Sequence, residues 1–133
     1  MKVEDIEGIG PAHAATLQSA GIRTSDALLE RAGSKAGRDS LAAETGISGK
    51  LLLEWVNACD LMRVKGIGAQ FSDLLEAAGV DSAAELAQRN AANLAATFQE
   101  LNAARATTRR APTEAMVADW IAQAKKLPKV VTH

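Results

Sequence analysis

The residues whose types and spacing could do chemistry are Ile6-Glu7-Gly8-Ile9-Gly10-Pro11 and, later, Val64-Lys65-Gly66-Ile67-Gly68-Ala69. In both, an apolar residue leads into Gly-Ile-Gly and a helical pattern follows. The chemistry this suggests is anion binding. Glycine reaches positive φ and leaves room for a close visitor. The N–H groups of the turn and of the first helical residues have no intrahelical acceptor. With the helix dipole behind them, they favour an anion such as phosphate. The isoleucine between the glycines pins the turn to the core. Pro11 suits a first helical position, because its missing N–H would have gone unpaired anyway.

Basic side chains add to this. His13 and Arg23 lie near the first turn, and Lys65 is in the second. Arg105, Arg109 and Arg110 cluster in the stretch 105–112, which reads as a loop. That cluster either clamps a phosphate backbone or an acidic partner, or is a solvated loop with one arginine paired to a carboxylate. His13 and His133 are the two histidines and Cys59 the one cysteine, too few for a four-ligand zinc site. Cys59 reads as a small core residue and His13 as an exposed first-turn residue. Asp26 sits at a capped helix start, where a dipole role suffices. No constellation suggests catalysis, so a non-enzymatic protein without a metal is expected.

The elements that must position these residues repeat. Leu17, Ala20, Gly21, Ile22, Thr24 and Leu28 recur as Leu75, Ala78, Gly79, Val80, Ser82 and Leu86, each 58 positions on. Helices are expected over 3–6, 11–20, 25–32, 35–45, 49–62, 70–78, 83–89, 93–104 and 114–126. Gly21 and Gly79 stop two of them, while Thr24, Ser48, Ser82 and Thr113 cap the next ones. Gly46-Ile47-Ser48 reads as a degenerate turn of the same kind. Trp55 and Trp120 read as equivalent core or interface anchors, with Met116, Val117 and Ile121 inward on the last helix and 130–133 a tail. Nothing alternates convincingly with period two, so no sheet is expected.

Gly8 through Thr24, and Val64 through Ser82, resemble helix-hairpin-helix motifs, in particular those of the DNA polymerase beta family. The whole chain is similar to the bacterial domain of unknown function 4332 family. The pieces that carry this are Glu7-Gly8-Ile9-Gly10-Pro11, Thr45-Gly46-Ile47-Ser48, Trp55-Val56-Asn57, Asp60-Leu61-Met62-Arg63 and Trp120-Ile121-Ala122. The resemblance implies an all-α fold: a compact pseudo-twofold tandem helix-hairpin-helix bundle, with units over 1–60 and 61–133 forming one integrated domain. It also implies sequence-independent DNA binding by backbone amides of Gly8, Gly10 and His13, and of Gly66, Gly68 and Phe71, with Ile9 and Ile67 inside the two turns. No organic cofactor is implied. A monovalent cation would sit at the carbonyls of Glu4, Ile6 and Ile9, or of Met62, Val64 and Ile67. Where DNA-binding members often carry Arg or Lys, this chain has Ala15, Thr16 and Gln18, then Asp73, Leu74 and Glu76.

Composition bounds these readings. A chain of 133 residues with 47% hydrophobic residues can build a proper core. Aromatic residues make up 3%, without tyrosine, which argues against base-stacking platforms for single strands. The net charge of −1 leaves only local basic patches. One cysteine, no leader-like start and no apolar run long enough for a span lead to an expected cytoplasmic protein away from membranes. The leading expectation is a small nucleic-acid-binding module. The competing one is a protein-interaction module on the same scaffold. A third is an accessory subunit of a larger repair or replication assembly.

Overall fold

A computed structural model describes residues 1–6, 8–105 and 110–133. The chain forms two compact units, Met1–Asp60 with Lys129–His133, and Leu61–Pro128. Every regular element described is helical, apart from one antiparallel bridge between Lys2 and Thr24.

The first unit opens with a 3-10 turn at Val3–Asp5, shorter than the helix expected to Ile6. It continues with α1 (Pro11–Ser19), α2 (Ser25–Ala32), α3 (Lys35–Thr45) and α4 (Gly49–Leu61), whose last residue belongs to the second unit. Leu17, Leu28, Leu41, Leu52 and Val56 are fully buried. Each such leucine contributes about 1.5–3 kcal/mol through burial. In α4 the buried residues Leu52, Val56 and Cys59 follow the expected helical stripe, with Trp55 buried beside them.

The second unit contains α5 (Ala69–Ala77), α6 (Ala83–Leu86), α7 (Ala91–Arg105) and α8 (Glu114–Ala124). Its core includes Leu61, Val64, Leu75, Val80, Leu86, Phe98 and Trp120. Helix α7 packs against α5 and α8, and α6 against α8. Three expectations need correction. Helix α6 ends at Leu86 rather than Arg89, because the chain tightens there into Gln88→Glu85 and Arg89→Leu86 bonds of the i→i−3 kind. Helix α7 begins at Ala91, capped by Asn90, and runs through Arg105, so Arg105 ends a helix rather than opening a loop. Met116 is 37% exposed instead of buried, because α8 turns Val117, Trp120 and Ile121 to the core.

The spacing of 58 reappears in the backbone. Ile22 donates to Leu17 at 2.9 Å and Val80 to Leu75 at 2.9 Å. Gly21 donates to Gln18 and Gly79 to Glu76, each at 3.0 Å. Thr24 caps Ala27 and Ser82 caps Glu85, each at 3.1 Å. The same residue types at the same spacing thus close the same helix ends in each unit.

The final residues are not a free tail. Val131 is 3% exposed, and the Thr132 N–H donates to Gly33 O at 2.9 Å. Arg38, only 4% exposed, makes this possible. Its Nη1 donates to the carbonyls of Ala32 at 3.2 Å and Gly33 at 2.8 Å, and its Nη2 to that of Thr132. The first two carbonyls lie at the negative end of α2, which suits a buried cation. Arg38→Ala is expected to destabilise the chain by roughly 2–4 kcal/mol in urea unfolding, since it strands carbonyls inside the unit. Arg38→Lys should fail to restore it, because a point ammonium cannot fork between those acceptors.

Candidate anion sites at the Gly-Ile-Gly turns

Both turns are built the same way. Gly8 and Gly66 have φ of +91° and +99°, a region that L side chains rarely adopt. The reversal they allow puts Ile9 and Ile67 in the core, at 5% and 4% exposure. The Ile9 N–H donates to Ile6 O and the Ile67 N–H to Val64 O, both at 3.2 Å. Two of the carbonyls expected to face a cation, Ile6 and Val64, are therefore already engaged. Gly10 and Gly68 then serve as N-caps of α1 and α5 in extended conformation, with no side-chain hydrogen bond.

The helix starts differ in one telling respect. Six helices are capped by a side chain: Thr24, Ser34, Ser48, Ser82, Asn90 and Thr113 each accept an N–H, at 3.0–3.2 Å. The two open starts are those behind Gly-Ile-Gly. The N–H groups of Gly8, Gly10, Gly66 and Gly68 have no acceptor among the described residues. The first-turn amides of Ala12 and His13, and of Gln70 and Phe71, precede the first intrahelical bond and also lack a partner. Each turn therefore presents several neutral donors without partners among the described residues, groups of the kind that can bind an anion. The isoleucine side chains take no part, since they are buried.

Beneath each turn lies a tryptophan. The Trp55 and His13 rings are 5.1 Å apart, and those of Trp120 and Phe71 are 5.3 Å apart. His13 and Phe71 are 58 positions apart, whereas the tryptophans are 65 apart. His13 is half-buried against Trp55, not simply exposed as expected, because the first helical turn lays its ring over the indole. The second turn has an additional clamp. Gln123 accepts from the Lys65 N–H at 2.9 Å and donates to Lys65 O at 3.1 Å and to Asp119 Oδ2 at 2.9 Å. The corresponding place after Trp55 holds Ala58, so the first turn lacks this clamp.

The charged candidates are less concentrated. Arg23 is exposed, and its carbonyl accepts the Val3 N–H at 3.1 Å. Lys65 is exposed in the second turn. Arg63 is held to Pro128 O at 2.9 Å. Arg105 ends α7, Arg110 is exposed, and Arg109 lies outside the described residues. Carboxylates are also near: Glu4 accepts from Gln18 at 2.7 Å beside α1, and Asp73 and Glu76 lie on α5. Among the described residues no group of acidic, histidine or cysteine side chains forms a metal cage.

Sequence reasoning missed the tryptophan rings beneath the turns and the Gln123 clamp. The reading of Trp55 and Trp120 as equivalent anchors, although 65 and not 58 positions apart, was the signal for the first. Nothing in the sequence marks Gln123.

An all-helical protein whose two glycine turns each leave a helix start uncapped is the class that fold and site define. Residues 7–127 match the family described as Domain of unknown function (DUF4332), and the chain belongs to that family. No curated protein and no solved structure matches it.

Cys59 offers no nucleophile. It is buried, and its thiol is pushed up from 9.0 to about 12, chiefly by burial and then by the carboxylates of Asp26 and Asp60. The thiol should resist a disulfide reagent at pH 8 in the folded protein and react at once in denaturant. Because the folded value is raised, the unfolded chain ionises first as pH rises. The stabilising contribution of the neutral thiol is therefore present below pH 9 and is lost towards pH 12.

Proposed function

We propose that this chain is a small non-enzymatic module that binds duplex nucleic acid through phosphates, without reading sequence. The observation that carries the reading is the contrast among helix starts. Six have side-chain caps, and the two behind Gly-Ile-Gly are left open. Backbone amides at such starts hold phosphate and carry no base information. The likeness of both turns to DNA-binding hairpins supports the same ligand. Arg23, Lys65 and Arg110 would add charge along a phosphate backbone, as would Arg105 and Arg109.

A protein-interaction role on the same scaffold is the second reading. The carboxylates of Glu4, Asp73 and Glu76, and a net charge of −1, favour it.

Anisotropy of a labelled duplex of about 20 base pairs tests the first reading. Neutral amides with few cations engage few phosphates, so binding should be micromolar or weaker, with a log–log salt slope of about −2 to −4. Gly10→Asp with Gly68→Asp should separate binding from folding. Neither position requires positive φ, and a Cβ at either meets nothing within 4 Å. Aspartate is a good N-cap, so each change should stabilise its helix by a few tenths of a kcal/mol. It would also place a carboxylate on the open amides, so duplex binding should disappear. Unaltered duplex affinity in this folded variant would remove the turns as the contact. A flat wild-type titration at low salt would instead favour a protein partner.

A further inference from the structure

Trp55 and Trp120 are 3% and 2% exposed. A tryptophan buried that far usually gives its N–H an acceptor. Here neither indole N–H has one among the described residues. Among the described residues, the sealed polar atoms without a partner are Asn57 Oδ1 and Ser72 Oγ. Each enclosed indole therefore carries a donor without a partner among the described residues.

The place of these nitrogens is specific. A Cβ built on Gly66 would stand 2.9 Å from Trp120 Nε1, and one on Gly8 would stand 3.8 Å from Trp55 Nε1. Each indole N–H thus lies against the left-handed glycine of a turn whose own amides are open. At Gly66 a side chain would displace the indole nitrogen outright, so the absence of a Cβ there serves the tryptophan as well as the backbone. Packing alone would be served by any large apolar ring, and Phe71 and Phe98 already supply such rings around Trp120. What tryptophan adds is one donor, at the turn.

We propose that the indole N–H of Trp120, and likewise that of Trp55, is a side-chain donor to the oxyanion held at its Gly-Ile-Gly turn. The inference rests on the reading of the turns as phosphate sites and names the residue that completes them. Each site then consists of neutral N–H donors alone: the turn glycines, the first helical turn and an indole. Such a set suits a group that only accepts, as the non-bridging oxygens of a phosphate do. It also accounts for a site that works without a following basic helix.

The test is a nitrogen–proton correlation spectrum of the full chain, in which two tryptophans give two indole cross-peaks. Inorganic phosphate is titrated against sodium chloride at matched ionic strength. The Trp120 indole peak should shift saturably together with the amides of Gly66 and Gly68, and the Trp55 peak with those of Gly8 and Gly10. Trp120→Phe should weaken phosphate at the second turn about tenfold, the loss of one hydrogen bond to a charged group. Glycine amides that shift saturably while both indole peaks stay still would overturn the proposal and leave the phosphate sites standing. Shifts of indoles and amides with phosphate, combined with no duplex binding, would keep the proposal and sink the nucleic-acid reading. Silence at both would remove the sites altogether. If Trp120→Phe does not fold, the wild-type titration still decides.

Discussion

The left-handed backbone at Gly8 and Gly66 is the constraint on which the rest of each turn depends. With φ of +91° and +99°, the chain reverses within a few residues. That reversal sends Ile9 and Ile67 into the core and leaves the neighbouring amides without an acceptor among the described residues. At Gly66 the same residue also lets an indole nitrogen come within 2.9 Å of where a Cβ would be. An alanine there would suffer twice, from the backbone conformation and from the contact. Core burial, exposed donors and the tryptophan's position are thus consequences of one missing side chain in each turn.

The helix starts show how differently the chain treats its ends. Ser, Thr or Asn closes six of them, the ordinary solution for orphan amides. Glycine stands at the other two and leaves them open, at a cost of a few tenths of a kcal/mol each relative to a polar cap. Local choices that run against stability concentrate where a site needs them. Neutral amide donors also fit the composition. The 15 Lys and Arg are balanced by 16 Asp and Glu, so no net positive charge is left to hold an anion. Dipoles of fixed direction offer a way to hold one without it.

The first unit owes its closure to a residue that would pass unnoticed in a helical pattern. Arg38 lies in α3 among polar neighbours, yet it is buried and grips three carbonyls, one of them at Thr132. The guanidinium fork suits the three acceptors in a way a lysine ammonium would not. The final five residues belong to this unit because Val131 is buried and Thr132 pairs with Gly33.

Much of the fold was legible in the residue pattern. Glycine punctuation, hydroxyl caps and a repeat of 58 set the helix starts and stops, because those are local backbone requirements that residue type controls directly. The buried stripe of α4 followed from helical periodicity for the same reason. The pattern also marked Gly8, Gly10, Gly66 and Gly68, whose turns lead into the two α-helices without a side-chain cap. It did not show that Asn90 caps α7, that Arg105 ends that helix, or that Met116 faces outward. It could not show His13 lying on Trp55, Gln123 clamping Lys65, or an indole nitrogen beside Gly8 and Gly66. Those contacts join residues far apart along the chain, so their distances are decided by how whole helices pack and not by any local preference. The sequence by itself determined most helix starts, that of α7 excepted, because capping residues control them locally. Only the tertiary structure decided which side chains stand beside those starts, because that depends on packing between distant segments.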